Sequence, residues 1–253
     1  MTKHVLLDSG KLAVTVCAYA PGERHAPHTD KYSRISFVLN GGYREEGRAG
    51  TLRMEPGHVL LKSKAARHED QFSRDGARLI AVEFRDDDPF DTASQEDLWR
   101  RRADSFALRH AVAFLESALA SDANGVASAG VDLVADQGGG QGAHAPRWLD
   151  RLRQELEETP LSEVSVEARA RQAGAHPAHA SRLFRRCFGA SITEHAQSQS
   201  VRRAIGGLAR MNLSLSEVAL SAGFYDQSHM NRVFKRVLGR TPGNQRAMFA
   251  AAS

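Results

Sequence analysis

Residues 217–246 read EVALSAGFYDQSHMNRVFKRVLGRTPGNQR, and this stretch decides the fold of the C-terminal part of the chain. A short helical segment ends at Gly223. It is followed by a turn and then by a longer segment of helical period. Asp226 stands where the longer helix would begin and is a favoured N-cap residue. The apolar positions that share one side of this helix are Met230, Val233, Phe234 and Val237.

A second copy of this pattern lies at residues 168–189, which read ARARQAGAHPAHASRLFRRCFG. Before the turn the copies match at an offset of 49, and they pair Ala170, Ala173 and Gly174 with Ala219, Ala222 and Gly223. After the turn the offset is 50, and His179, Arg182, Phe184, Arg186 and Gly189 pair with His229, Arg232, Phe234, Arg236 and Gly239. The repeat predicts two helix-turn-helix modules, a motif whose second helix lies in the major groove of DNA.

The predicted outward faces of the two second helices carry residue types that bind DNA. Arginine binds guanine through two hydrogen bonds, glutamine or asparagine binds adenine, and basic side chains also bind phosphates. The candidate base-contacting residues are Ala178, Ser181, Arg182, Gln227, Ser228, Asn231 and Arg232. The candidate phosphate-contacting residues are Arg185, Arg186, Lys235 and Arg236. The alternative is that both faces are merely solvated surfaces of a helical bundle. The two copies share the same buried and exposed positions, which favours DNA binding.

Residues 211–246 resemble the second helix-turn-helix of the AraC/XylS family of bacterial transcription regulators. The resemblance rests on the motifs A-x-x-A-G-F, S-H-x-x-R-x-F-K-R and G-x-T-P, and the first copy is similar but looser. It covers about residues 147–250 and implies a seven-helix DNA-binding domain with a long middle helix at about 191–209. It also implies double-stranded DNA as a partner, with RNA polymerase and a second copy of the chain as further partners.

The charge distribution agrees with a nucleic-acid-binding C-terminal region. Residues 147–253 contain 16 Lys+Arg and 9 Asp+Glu, a balance of +7, whereas residues 1–146 contain 18 and 21, a balance of −3. Basic charge confined to one part of a chain is typical of a DNA-binding module joined to another unit. This basic region shows helical period near residues 147–157, 165–173, 177–187, 191–209, 215–222, 227–238 and 242–252.

Residues 5–85 show a period of two, interrupted by turn signals such as Pro21-Gly22 and Asn40-Gly41-Gly42. The predicted fold class is therefore α+β, with an N-terminal antiparallel β-barrel of cupin or jelly-roll type and a C-terminal all-α double helix-turn-helix domain. The expected domains are a sensor barrel at 1–90, a helical dimerisation or connector segment at 91–137, a Gly-rich linker at 138–146 and a DNA-binding domain at 147–253.

A stripe of apolar residues in the connector segment allows two interpretations. Leu108, Val112, Leu115 and Leu119 recur at helical spacing. The stripe can cover the barrel as ordinary core, or it can form the seam of a homodimer, the position at which family members often dimerise. We favour the dimer seam slightly.

Many members of the resembled family carry a cupin-like barrel that binds a small effector. Residues 22–41 fit the first cupin motif by spacing, and Gly50, Pro56-Gly57 and His68 resemble the second. The candidate effector-binding residues are His25, His28, Asp30, Arg34 and His68. Because Arg34 keeps its charge, it disfavours a metal ion and favours an anionic effector such as a carboxylate.

We therefore expect no cofactor in the barrel, although two alternatives remain open. His28, Asp30 and His68 could still hold Zn²⁺ or Fe²⁺, which would make the chain a metal-dependent cupin enzyme or a metal sensor fused to a DNA-binding domain. The other alternative is that these side chains simply line the rim of the barrel.

Composition excludes several other classes of protein. Cys17 and Cys187 are the two cysteines, too few for a disulfide scaffold or a thiolate zinc cluster. No apolar run approaches the length of a membrane-spanning helix, and the N-terminus lacks a secretory signal, so we expect a cytoplasmic protein with no membrane partner. No nucleophile motif or phosphate loop stands out, so the chain is not expected to be an enzyme.

Overall fold

The computed structural model describes residues 1–48, 50–91, 99–136, 145–160 and 163–252. Its strands are β1 Thr2–Asp8, β2 Leu12–Tyr19, β3 Arg24–His28, β4 Ser33–Gly47, β5 Gly50–Met54, β6 Val59–Lys62, β7 His68–Phe84 and β8 Trp99–Arg102. Its helices are α1 Ser105–Leu119, α2 Ala123–Ala135, α3 Arg147–Glu158, α4 Val166–Gln172, α5 Pro177–Phe188, α6 Ile192–Leu208, α7 Leu215–Ser221, α8 Gln227–Leu238 and α9 Pro242–Ala251.

The strands form one antiparallel sheet in the order β1-β2-β7-β4-β6-β8, with β3 beside β7 and β5 beside β4. The long strands β4 and β7 pair along both of their halves and shift register near Gly41. Gly41 has a φ of +67°, and a Cβ there would lie 2.1 Å from the carbonyl oxygen of Gly76, so only glycine permits this close approach.

The predicted antiparallel α+β fold is confirmed, but the sheet does not close into a barrel. In the part of the chain that the structure describes, the edge strands β1 and β8 do not pair with each other. The sheet instead bends over an apolar interior, in which Tyr19 stacks on Phe72 with ring centroids 4.0 Å apart. The bend brings the two halves together without joining their edges.

Both faces of the central strands are buried. Along β2, Val14 and Val16 face a core that includes α1 and α2, whereas Cys17 and Tyr19 face the interior of the bent sheet. A strand that is covered on both faces reads as a nearly continuous apolar run, which explains the sequence LAVTVCAY.

Strand β8 lies within the segment that was expected to be helical. Its residues pair with β6, where Lys62 is opposite Trp99. The buried Arg102 fixes the end of the strand, because its guanidinium donates to Asp104 at 2.9 Å and to Asp136 at 2.7 Å. The helical prediction is therefore wrong at residues 99–102. Local periodicity does not report the strand pairing and the buried ion pair, because both join residues that are far apart in the sequence.

The apolar stripe of α1 belongs to the core of the chain. Leu108, Val112 and Leu115 are buried, whereas Leu119 is 39% exposed. Of the two interpretations of this stripe, the structure supports core packing. The dimer seam, which the sequence slightly favoured, is therefore not formed by Leu108, Val112 and Leu115.

Helices α3 to α9 form the C-terminal region and agree closely with the predicted helical stretches. The predicted Gly-rich linker at 138–146 lies outside the described residues, except for residues 145–146. None of the described helices combines the length and the hydropathy that a membrane span requires.

Helix α6 joins the two parts of the chain through a buried arginine. Arg202 donates to Glu157 O at 3.0 Å and to Pro56 O at 3.4 Å, and it lies 3.4 Å from the carboxylate of Glu55. Gly57 has a φ of +80°, and a Cβ there would lie 2.3 Å from Cγ of Arg202. The sheet therefore approaches α6 through a glycine turn that a larger residue would obstruct.

Helix α1 makes a second connection, to the helices around α8. Arg109 Nη1 donates to the carbonyl oxygen of Val237 at 3.5 Å, near the end of α8. Arg240 forms an ion pair with Glu116 on α1. The apolar core is continuous across this contact, since residues of the sheet, α1, α6 and α8 belong to one cluster.

We predict that Arg202→Ala lowers the free energy of unfolding by about 3–5 kcal/mol, because it leaves buried acceptors without a partner. Arg171→Ala is the control, since the Arg171 side chain is 68% exposed and pairs with Glu167 one helical turn away. The control should change stability by about 0.5 kcal/mol or less. Urea denaturation measures both, and equal effects of the two variants would contradict the assigned role of Arg202.

Candidate nucleic-acid interface and candidate effector site

The second helix-turn-helix module consists of α7 and α8, and each helix begins at a side-chain cap. Ser214 and Glu217 form a capping box at the start of α7. At the start of α8 the carboxylate of Asp226 accepts a hydrogen bond from the His229 amide at 2.6 Å. This confirms Asp226 as the N-cap, so local sequence fixes where the second helix begins.

The buried and exposed faces of α8 agree with the periodicity of the sequence. The four predicted core residues, Met230, Val233, Phe234 and Val237, are buried. On the opposite face Ser228, Arg232, Lys235 and Arg236 are exposed, and Gln227 and Asn231 are partly exposed. The side chains proposed to contact DNA are therefore accessible to a large ligand.

The first module, α4 and α5, presents an equivalent face. Its second helix begins at His176, whose ring accepts a hydrogen bond from the Ala178 amide at 3.3 Å, and Pro177 occupies the first helical turn. The predicted outward residues are all exposed, and they are Ala178, Ser181, Arg182, Arg185 and Arg186.

Four cations on these two faces have no carboxylate partner among the described residues; they are Arg182, Arg186, Arg232 and Lys235. Two neighbouring arginines differ, since Arg185 pairs with Glu194 at 3.1 Å and Arg236 donates to Gln197 at 3.2 Å. Unpaired exposed cations attract phosphates most directly, because no internal carboxylate competes for them.

Two partly buried hydrogen bonds from Arg203 tie α6 to the second module and to α3. Arg203 donates through Nε to Ala222 O at the end of α7, and through Nη1 to Glu157 O at the end of α3, both at 3.3 Å. Sequence reasoning did not find the structural roles of Arg202 and Arg203. The available signal was their position between Val201 and Ala204 in an otherwise buried helix.

Sheet register assembles the candidate effector site. Of the predicted residues, His28, Asp30 and His68 come together, with potential ligand atoms all within 4.8 Å of one another. His25 is turned towards Glu23 and Asp70, at 3.0 and 3.3 Å, beside a pocket of about 470 Å³. The strands place His28 opposite His68, Glu45 opposite Asp70, and Lys62 opposite both Arg34 and Trp99.

A buried lysine that sequence reasoning missed lies at the centre of this cluster. The ammonium group of Lys62 lies 3.0 Å from Asp30, 3.3 Å from Glu45 and 2.6 Å from Nε2 of His68. Trp99 donates to the other oxygen of Glu45 at 2.5 Å. The available signal was a lysine at the end of the apolar strand VLLK, where a charged side chain requires a partner.

The electrostatics of the cluster follow from burial and from this lysine. Burial raises the pKa of Glu45 to about 7, although Lys62 opposes the shift. Burial would also raise the pKa of Asp30, but Lys62 and Arg34 together lower it below its usual value. Burial and Lys62 lower the pKa of His68, so its neutral ring accepts from Lys62 and donates to Ala66 O.

Arg34 differs from Lys62 in its direct partners. Its guanidinium donates to the Tyr19 hydroxyl at 3.3 Å and contacts the Cys17 sulfur at 3.8 Å. The buried Nε of Arg34 has no hydrogen-bond partner within the described ranges. Arg34 is thus the cation of this site whose direct partners are uncharged.

The comparisons with known proteins concern mainly the C-terminal region. Residues 169–248 match a family model described as a helix-turn-helix domain. The chain is 35% identical over 89 residues to the HTH-type transcriptional regulator GlxA of Rhizobium meliloti (strain 1021), a match that covers 35% of this chain and 26% of GlxA. The C-terminal region is therefore similar to the helix-turn-helix part of a transcriptional regulator. The chain spans about a quarter of the length of this curated relative.

Solved structures show weaker similarity. The match to ToxT from Vibrio cholerae O395 extends over 95% of this chain and 99% of the ToxT chain, with 10% identity and a TM-score of 0.38. The match to a cupin-2 domain containing protein from Shewanella frigidimarina extends over 33% of this chain and 80% of that protein's chain, with 12% identity and a TM-score of 0.30.

The two helix-turn-helix modules are unequally packed. The first module has Ala175 and Ala180 where the second has the buried Phe224 and Met230. Arg169, which replaces a buried valine of the second module, reaches the surface and pairs with Glu155 at 2.7 Å. Smaller apolar side chains bury less surface, so the first module is expected to be the less stable of the two.

We predict that amides in residues 165–188 exchange hydrogen faster than those in residues 215–238, with protection lower by about tenfold or more. Native-state hydrogen exchange on the full chain measures the difference. Comparison of α5 with α8, which have equal lengths, removes the effect of helix length. Equal protection of the two helices would show that packing elsewhere compensates for the smaller residues.

Proposed function

We propose that the chain is a sequence-specific DNA-binding transcription regulator. The observation that carries this proposal is the pair of exposed helix faces with unpaired cations, each backed by a buried apolar face in an AraC-type module. Two such helices suit successive major-groove turns on one side of a duplex. The chain is proposed to regulate rather than to catalyse a reaction, as the name of its relative GlxA suggests for that protein.

The base contacts are proposed for Ala178, Ser181, Arg182, Gln227, Ser228, Asn231 and Arg232. Ser216 donates to the amide oxygen of Gln227 at 3.0 Å, which leaves the amide nitrogen of Gln227 free to donate to a base. The phosphate contacts are proposed for Arg185, Arg186, Lys235 and Arg236. Of these, Arg186 and Lys235 would break no ion pair or side-chain hydrogen bond with the described residues on reaching DNA.

Further partners are proposed from the family. RNA polymerase and a second copy of the chain are the expected protein partners. Because Leu108, Val112 and Leu115 of the stripe are buried, a homodimer would use the exposed residues of α1 and α2, where Leu119 is 39% and Val131 is 51% exposed. Exposed apolar residues of this kind suit an interface better than charged ones.

A small anionic effector is proposed for the N-terminal sheet. Lys62 is already surrounded by Asp30 and Glu45, so its charge is compensated within the chain. Arg34 has uncharged direct partners and an unpartnered Nε, which makes it the cation that a carboxylate would bind. His25, His28, Asp30 and His68 would complete the polar surroundings of the effector.

For DNA contacts, we predict that Arg232→Ala weakens binding to a selected site by about 1–3 kcal/mol and relaxes the preference at one base pair. Lys235→Ala should weaken binding to selected and random duplexes alike, and should reduce the salt slope by about one unit. Salt titrations with a duplex selected in vitro from random sequences test both variants.

The exposed Arg151, at the start of α3, provides the matched control, because Arg151→Ala removes a charge from outside the two proposed faces. If Arg232→Ala keeps the ratio of specific to non-specific affinity, the assignment of this side chain to a base is wrong. If neither variant differs from Arg151→Ala, α8 does not enter the groove.

For the effector, we predict that Arg34→Ala weakens binding of a small carboxylate at least tenfold, because a charge-assisted hydrogen bond of about 1.5–3 kcal/mol is lost. Calorimetry of the full chain against a panel of small carboxylates measures this. Arg85→Ala is the control, since Arg85 already pairs with Asp8 at 2.7 Å. A carboxylate that binds Arg34→Ala as tightly as the parent would contradict the assignment, while DNA binding without effector should stay unchanged.

A further inference from the structure

The cluster in the bent sheet contains the side chains of a metal site, but a lysine stands among them. His28, Asp30 and His68 form one group of potential ligands, Glu45, His68 and Asp70 form a second, and His25, His28 and Asp70 form a third. In the third group both ring nitrogens of His25 already contact carboxylates, those of Glu23 at 3.0 Å and Asp70 at 3.3 Å. The first two groups include His68, and its Nε2 atom, the atom free to bind a metal, lies 2.6 Å from the ammonium nitrogen of Lys62. Nε2 therefore cannot bind a metal ion while it accepts this hydrogen bond.

Three side chains surround the ammonium group of Lys62. Nε2 of His68 at 2.6 Å and a carboxylate oxygen of Glu45 at 3.3 Å accept hydrogen bonds from it. A carboxylate oxygen of Asp30 forms an ion pair with it at 3.0 Å. The side chain of Lys62 is only 5% exposed, so these three groups take the place of water. A buried ammonium with this set of partners is stable in place.

The charges lead to the same conclusion. A divalent ion held by His68 and Asp30 would lie within a few ångströms of the ammonium group, in a buried site where charges are poorly screened. Arg34 adds a second positive charge, and it already lowers the pKa of Asp30. The ligand set therefore does not fit a metal ion while Lys62 is present.

We propose that the ammonium group of Lys62 takes the place of a divalent metal ion in this sheet, and that it is the group that keeps His28, Asp30 and His68 from binding one. Lys62 then supplies the positive charge that holds together Glu45 of β4, His68 of β7 and Asp30, which follows β3. Removal of its ammonium group would turn the cluster into a site of two imidazoles and two carboxylates. Such a donor set suits Zn²⁺ or Co²⁺.

The test is a Co²⁺ titration of full-length protein that has first been treated with a chelator, followed by absorption spectroscopy. The parent should show no stoichiometric binding, whereas Lys62→Ala should bind one Co²⁺ per chain at least a hundredfold more tightly. Lys64→Ala is the matched control, because Lys64 is two residues away, is 47% exposed and pairs with Asp91 at 2.7 Å. This control should behave as the parent does.

Two further variants keep the test decisive. Lys62→Gln removes the charge but retains a polar side chain, so it serves if Lys62→Ala does not fold, as judged by circular dichroism. The double variant Lys62→Ala/His68→Ala should lose the new Co²⁺ band, which would assign it to the cluster. Stoichiometric Co²⁺ binding by the parent would overturn the proposal. So would a folded Lys62→Ala or Lys62→Gln that binds Co²⁺ no more tightly than the parent.

Discussion

The burial of α6 is the constraint on which the rest of the structure depends. This helix contacts β4 of the sheet, α1, α3, α5 of the first module, and α7 and α8 of the second, and it is buried around most of its circumference. A helix in that position is expected to be apolar on all sides. Here polar residues occupy part of the buried surface, and Arg202 and Gln199 satisfy each other and neighbouring carbonyl groups.

The polar residues of α6 give the packing a defined geometry. Gln199 donates to Ala103 O at 3.1 Å, next to the start of α1, and Arg202 reaches the turn before Gly57. An apolar interface can slide, whereas a buried guanidinium that loses its acceptors becomes costly. The sheet and the second module are therefore held at one relative position and share one apolar cluster, whereas the first module packs with α3 in a separate cluster.

Sequence predicted the C-terminal region well and the N-terminal site only in part. Helix faces such as that of Met230 and Phe234 follow from local periodicity, and N-caps such as Asp226 follow from local chemistry. The environment of Lys62 does not, because strand register brings together residues that lie far apart in the chain. The same limit applies to β8, whose pairing partner β6 lies about forty residues earlier.

The expectation of a C-terminal domain bounded at residue 147 also overlooked the shared core, since apolar residues of α6 such as Ile205 pack in a cluster with the sheet.

The contact between α1 and the end of α8 has a thermodynamic consequence. Arg109 donates to a carbonyl group of α8, so a shift of α1 relative to the sheet would act on the same helix that carries Arg232. If α8 binds DNA as proposed, any ligand of the sheet that prefers one position of α1 must then change the affinity of α8 for the duplex. Linkage makes this effect reciprocal, so that the duplex changes the affinity for the ligand by the same factor. Occupancy of the sheet would then depend on how much of the protein is already on DNA.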